Sequence, residues 1–223
     1  TYTCSGPRNP YPTFHLDDYN LGTRVTGWML KKYNITGYLY WCVNLYEPIA
    51  AFGSVDNYVE PYSTPDRAGK CPGDGFLLYP GHYYGHYGPY GSLRLKSYRD
   101  AIDDNEMLSI YERLLKEKSV KYGIAIDFNK YVESLYDSLF SGTIYIKDDS
   151  LLPQARKELA RRILSLQNED ELMFETHSDG ANYNSTIYTT NSELSINGQV
   201  VTGAKSNNGY VYNIVTPVNT IDW

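Results

Sequence analysis

Residues 37–46 read GYLYWCVNLY, and the reading of this run decides the fold. Nearly every side chain is apolar or aromatic, without the in–out alternation of a half-solvated strand. That is the pattern of a strand covered on both faces, as in a parallel sheet. Just upstream, YNLGTRVTGWMLKKY (residues 19–33) places Leu21, Val25, Trp28 and Met29 at helical spacing, with Asp18 positioned to cap the helix N-terminus. A helix, a short turn at Asn34–Gly37 and a buried strand make half of a repeating β/α unit. The expected fold class is therefore α/β.

Working outward, residues 45–90 form a long stretch rich in Pro, Gly and Tyr. A connection this long inside a compact domain is uncommon and usually functional. It leaves the carboxyl end of the strand, where β/α barrels and open α/β sheets build their sites. Three helices are predicted beyond it, over about 92–118, 127–140 and 152–166, with Pro153 in the first turn of the last. After about residue 168 helical periodicity stops. Short alternating runs then surround Asn197–Gly198 and Asn208–Gly209, dipeptides suited to hairpin turns with positive φ. The expected domains are 1–167 and 168–223, the second a truncated antiparallel β-sandwich.

Composition narrows the function classes. A formal charge of −6 lacks the basic face that nucleic acid or an anionic membrane surface requires. No run of about 18 apolar residues suggests membrane insertion. The 24 tyrosines combine flat apolar faces with a polar rim, a match for the mixed C–H and hydroxyl surface of sugar rings. Cys4, Cys42 and Cys71 have no metal-ligand spacing, and Cys42 is expected to pack as a small hydrophobe. The sequence gives no support for a Cys4–Cys71 bridge. No phosphate loop of either standard type and no GxSxG elbow occurs, and no cofactor is expected. Both ends, TYTC and NTIDW, look cut within strand-like runs, so a piece of a longer chain is expected. Open strand edges would then favour poor stability or association.

Several motifs fall in one order: YTCSGPRNPYPTF (2–14), RVTGWMLKKYNITG (24–37), GYLYWCVNLY, CPGDGFLLYPG (71–81) and YGSLRLKSYRDAIDDNEML (90–108). Over roughly residues 1–118 this order resembles the C-terminal part of the catalytic domain of glycoside hydrolase family 123 and its relatives in the domain of unknown function 4091. The resemblance implies the last strands and helices of a (β/α)8-like barrel, followed by helices and the start of a β-sandwich. It also implies hydrolysis of terminal β-linked N-acetylgalactosamine with retention, the substrate's acetamido group acting as nucleophile. An adjacent Asp-Glu pair would orient that group and protonate the leaving oxygen. The pair is expected upstream of Thr1. The only adjacent pair here, Asp170–Glu171, sits in an acidic run that reads as a solvated linker. The chain alone is expected to be inactive, and a secreted or cell-surface bacterial protein fits the substrate and composition.

The candidate carbohydrate-binding residues are Trp41, Asn44, Asp74 and Arg8. Trp41 suits stacking on a sugar face or packing between layers, and Asn44 suits a hydroxyl or the strand end. Asp74, between Gly73 and Gly75, suits a sugar hydroxyl or an Asx-type turn bond. Arg8 follows the first strand and reaches the same mouth. His82 and His86 have a metal-like spacing, but glycines surround them and no third ligand is evident, so loop aromatics are the better reading. Arg94, Arg99, Asp100, Asp103 and Asp104 read as intrahelical pairs or helix anchors. A non-catalytic carbohydrate-binding or surface protein with a degenerate barrel is the alternative function.

Overall fold

The computed structural model describes residues 1–3, 6–45, 71–122, 125–168, 173–178, 181–196, 199–206 and 209–217. Cys4, most of the long loop (46–70), the Asp170–Glu171 run, Asn197–Gly198 and Asn208 lie outside the described residues. The fold is mixed α/β, with helices and small sheets. It divides into two compact units, Thr1–Asn105 with Phe140–Asp149, and Glu106–Leu139 with Ser150–Trp223.

In the first unit, β1 (Tyr2–Thr3) and β2 (Leu39–Tyr40) pair in parallel around the crossover helix α1 (Asn20–Lys32). This is the β/α unit the sequence implies, but its strand differs from expectation. Among the described residues of the apolar run only Leu39 and Tyr40 join the ladder, and Leu39 is 60% and Val43 38% exposed. The run is therefore not covered on both faces. Cys42 and Leu45 instead bury against Phe76, with Trp41 packed alongside. Barrel closure is not seen among the described residues.

The expected cap of α1 is also corrected. Tyr19 holds the N-cap position without a side-chain bond, while the Asp18 carboxylate accepts the Thr13 hydroxyl. Engaging that donor, Asp18 serves the preceding loop rather than the helix. The long helix α2 (Leu93–Tyr122) does begin with a side-chain cap, because Leu95 N–H donates to Ser92 Oγ at 3.1 Å. Between β2 and α2 lies a hairpin, β3 (Leu78–Pro80) with β4 (Pro89–Gly91), joined through a 3-10 turn at Gly81–Tyr84.

Within this unit α1 and the start of α2 cross at very short range. A Cβ on Gly27 would meet the Ala101 carbonyl oxygen at 1.9 Å, so glycine is required there. The crossing is sealed by Asp104, fully buried, which accepts from Trp28 Nε1 at 3.1 Å and Arg24 Nε at 3.2 Å. Asn105 Nδ2 donates to the Gly27 carbonyl at 2.9 Å. A buried carboxylate is stable only when so paired, and Asp104 acts as a helix anchor. The small hairpin β5 (Phe140–Ser141) and β6 (Ile144–Tyr145) sets the Tyr145 ring on Gly22 of α1.

In the second unit, α3 (Phe128–Leu139) and α4 (Leu151–Gln167) pack on each other, and Tyr131, Leu135, Leu152 and Leu159 are buried. The buried Arg162 ties them: it donates to the Tyr131 carbonyl at 2.7 Å and to Glu158 Oε1 at 2.9 Å. Burial works against the charged Glu158, but bonds from Arg161 and Arg162 outweigh it and hold its carboxyl below the usual range. Next come β7 (Met173–Ser178), β8 (Asn182–Thr189), β9 (Glu193–Ile196), β10 (Gln199–Thr202), β11 (Ala204–Ser206) and β12 (Gly209–Pro217). They make an antiparallel four-stranded sheet in the order β11-β12-β8-β7 and a separate β9–β10 hairpin. Gly209 pairs with Ser206, so it belongs to the strand and not, as expected, to the turn. A packed two-sheet sandwich is not seen among the described residues.

Candidate functional site

Because β1 and β2 are parallel, the segments after Thr3 and after Tyr40 leave the sheet from the same end. Carboxyl-end crevices of this kind are where α/β proteins place ligands. The four candidates named from sequence converge here on one loop, Cys71–Phe76. Asp74, fully buried, accepts on Oδ1 from Trp41 Nε1 and from Tyr40 Oη, each at 3.0 Å. Asn44 forms a bridge with Phe76, and Cys42 Sγ lies 3.8 Å from its Oδ1. Arg8 is exposed and donates from Nη2 to Cys71 Sγ at 3.4 Å.

The loop is built as a tight turn. Asp74 N–H donates to the Cys71 carbonyl at 3.1 Å and Phe76 N–H to the Gly73 carbonyl at 3.0 Å. Gly73 and Gly75 adopt φ of 78° and 81°, values that glycine tolerates best. A Cβ on Gly75 would also approach the Trp41 ring to 3.2 Å. Glycines thus let Asp74 sit beside Trp41 at close range.

Two residues that the sequence reading did not put in the site organise it. Arg94 is only 5% exposed and donates to the backbone carbonyls of Phe14, Gly73 and Phe76, and to Tyr79 Oη at 3.2 Å. One guanidinium therefore pins the loop after β1 to the loop after β2, with Leu16 N–H to the Pro72 carbonyl at 2.8 Å as a second tie. Its signal in the sequence was a cation in the first turn of α2, where the helix dipole disfavours positive charge. Tyr40 is the other. Its hydroxyl donates to Asp74 and accepts Gly75 N–H at 2.7 Å. Burial, and then the neighbouring Asp74 carboxylate, pushes this phenol well above its usual range. Tyr40 therefore stays a neutral donor to Asp74 and is unsuited to act as a base.

An aromatic cluster backs the site. Phe14 lies 4.6 Å from Tyr40 and 5.3 Å from Tyr98 between ring centroids. Tyr38 bonds Thr3 Oγ1 at 2.7 Å, and burial pushes its phenol up to about 12 despite that bond. Beside the loops a cavity of about 490 Å3 is lined by His15, Asp18, Asn20, Tyr79, Tyr90 and Lys96, among others.

His82 and His86 act as rings: His82 packs on Tyr83 at 4.4 Å and His86 stacks on Tyr90 at 5.2 Å between centroids. Among the described residues, His15, Asp17 and Asp18 bring possible metal-ligand atoms within 4.8 Å of one another. One Asp18 oxygen is already engaged by Thr13, and His15 Nδ1 stands 3.7 Å from that same oxygen. No helix among the described residues is long and apolar enough to cross a membrane.

Residues 1–111 match the family described as glycoside hydrolase 123, catalytic domain. No curated protein matches the chain.

Proposed function

Taking residues 1–111 as similar to a glycoside hydrolase 123 catalytic domain, we propose that this chain forms the sugar-holding wall of a retaining β-N-acetylgalactosaminidase. The observation that carries the reading is the convergence of Trp41, Asn44, Asp74 and Arg8 on one loop at the carboxyl end of two parallel strands. Trp41 is the stacking surface for the apolar face of the sugar. Asp74 is a positioning residue: fully buried, it fixes the indole through Nε1. Asn44 and Arg8 supply polar contacts at the rim.

In substrate-assisted hydrolysis the acetamido oxygen attacks the anomeric carbon while an acid protonates the departing oxygen; water then opens the cyclic intermediate. A wall that holds the ring in the attacking geometry contributes by orientation. Residues 1–111 contain no adjacent Asp-Glu pair, so proton transfer is assigned to residues elsewhere in the protein. On the same reading β1 and β2 are strands of a (β/α)8-like barrel, β7–β12 begin an accessory β-sandwich, and the protein acts outside the cell or at its surface.

The test is hydrolysis of a chromogenic β-N-acetylgalactosaminide by the whole protein that carries this sequence, with the β-N-acetylglucosaminide as comparison. Turnover of the first, and loss of about tenfold in kcat/KM in Trp41→Ala, the equivalent of ~1.4 kcal/mol, supports the assignment. A second reading is a carbohydrate-binding protein without turnover, in which the same convergence of Trp41, Asn44, Asp74 and Arg8 holds the sugar. Saturable sugar binding with no hydrolysis would establish it.

A further inference from the structure

The hairpin β3–β4 carries a row of aromatic rings that the site described above does not use. Tyr83, Tyr84, Tyr87 and Tyr90 are all exposed, and Tyr87 is completely so. Single exposed apolar side chains are ordinary, but this many on one short hairpin form a patch that calls for a partner. The rings are also arranged relative to one another. His86 stacks on Tyr90 with an interplanar angle of 17°, Tyr84 stands edge-on to Tyr79 at 6.2 Å, and Tyr84 lies 6.4 Å from Tyr90.

The tip that displays them is tied in place. Gly81 N–H donates to the Gly88 carbonyl at 3.1 Å, and His86 N–H to the Gly81 carbonyl at 2.9 Å. Gly85 and Gly88 have φ of 73° and 82°, and a Cβ on Gly81 would meet the Gly88 oxygen at 2.1 Å. Three glycines thus permit one closed conformation, and rings held in advance lose little entropy on binding. At the base of the hairpin, Tyr79 and Tyr90 line the cavity of about 490 Å3, together with Asp18, Asn20 and Lys96. That volume falls within the roughly 300–1,000 Å3 typical of ligand pockets. Apolar rings leading into a cavity lined with a carboxylate, an amide and an ammonium suit a chain of pyranose rings, which offers C–H faces to the first and hydroxyls to the second.

We infer that the β3–β4 hairpin and the adjoining cavity form an oligosaccharide subsite, which engages a second and further sugar ring of a glycan. The inference rests on the carbohydrate reading above. It deepens that reading by naming the substrate as an oligosaccharide chain, not an isolated terminal sugar.

Binding to the whole protein that carries this sequence is measured by calorimetry with three probes: N-acetylgalactosamine, and a disaccharide and a trisaccharide ending in β-linked N-acetylgalactosamine. Affinity is expected to rise by about tenfold from one ring to three. Tyr90→Ala and Tyr87→Ala should abolish that gain and leave monosaccharide binding unchanged, while Tyr90→Phe keeps the gain. Unchanged thermal unfolding of the variants excludes a folding defect, and Tyr87, fully exposed, carries the test if Tyr90→Ala is unstable. Monosaccharide binding with no gain on lengthening, or a gain that survives both alanine variants, overturns the subsite and leaves the proposed function standing. If none of the probes binds, both fall.

Discussion

Replacing Arg94 with Met should unhinge the two loops that carry the candidate site while leaving the helix it starts from intact. The guanidinium is 5% exposed and serves the carbonyls of Phe14, Gly73 and Phe76 as well as Tyr79 Oη. Methionine fills much of the same volume but offers no donor, so the Phe14 and Phe76 carbonyls lose the guanidinium, while the Gly73 carbonyl keeps the bond from Phe76 N–H. A buried acceptor left unmet costs about 1–3 kcal/mol. Arg94 also lines the neighbouring cavity, so water can enter and the lower end of that range applies. The expected loss is about 2 kcal/mol, a sizeable fraction of the ~5–15 kcal/mol that stabilises a typical domain. Arg94→Lys keeps the charge but cannot span carbonyls set in different directions, and it should recover only part of the loss. The assay is urea unfolding followed by tryptophan fluorescence, with Trp28 buried in the first unit as reporter. Amide exchange at Leu16, whose N–H bonds the Pro72 carbonyl, reports the loop tie directly and should accelerate. An Arg94→Met protein with an unchanged midpoint and unchanged Leu16 protection would refute the argument.

Two further outcomes follow from the packing and the phenols. Gly27→Ala drives a Cβ to 1.9 Å from the Ala101 oxygen; helices α1 and α2 must part there, at a cost of about 3 kcal/mol. A thermal midpoint equal to that of the parent would contradict it. Burial raises the folded-state pKa of Tyr38 from 10.0 to about 12, so the folded protein holds this proton more tightly than the unfolded chain. Its contribution to stability is complete below pH ~10 and fades as pH climbs toward about 12. Phenolate absorbance should show a late class, including Tyr38, that ionises together with loss of circular dichroism. Titration of all tyrosines in one step, with the fold intact, is the opposing result.

Much of the local structure was legible because it is set by local chemistry. The apolar spacing of Leu21, Val25, Trp28 and Met29 marked α1, and the same periodicity marked α2, α3 and α4. The paired glycines around Asp74 announced a tight turn, and both have positive φ. What misled was hydrophobicity read as burial. The GYLYWCVNLY run is apolar, yet Leu39 and Val43 face solvent; among its described residues Leu39 and Tyr40 join a strand, and Cys42 and Leu45 bury against Phe76. Asp18 was misassigned for a related reason, since a carboxylate before a helix can cap it or bond its own loop, and Thr13 decided between them. Gly209 was read as a turn residue from its dipeptide alone, whereas it pairs with Ser206 in the ladder. Residue type alone made Trp41 and Asp74 candidates, but did not reveal that they bond each other. Nor did spacing reveal Arg94 as the clamp between loops 80 and 21 residues away from it.

The loop bearing Asp74 and Trp41 is proposed to hold a sugar for a glycoside hydrolase. The most direct measurement is the rate at which the whole protein carrying this sequence hydrolyses a chromogenic β-N-acetylgalactosaminide, in the parent and in Trp41→Ala. Measurable turnover is expected in the parent, with a drop of about tenfold in kcat/KM in the variant and unfolding behaviour retained. Turnover that is indifferent to Trp41, or neither hydrolysis nor binding of any glycoside, would contradict it.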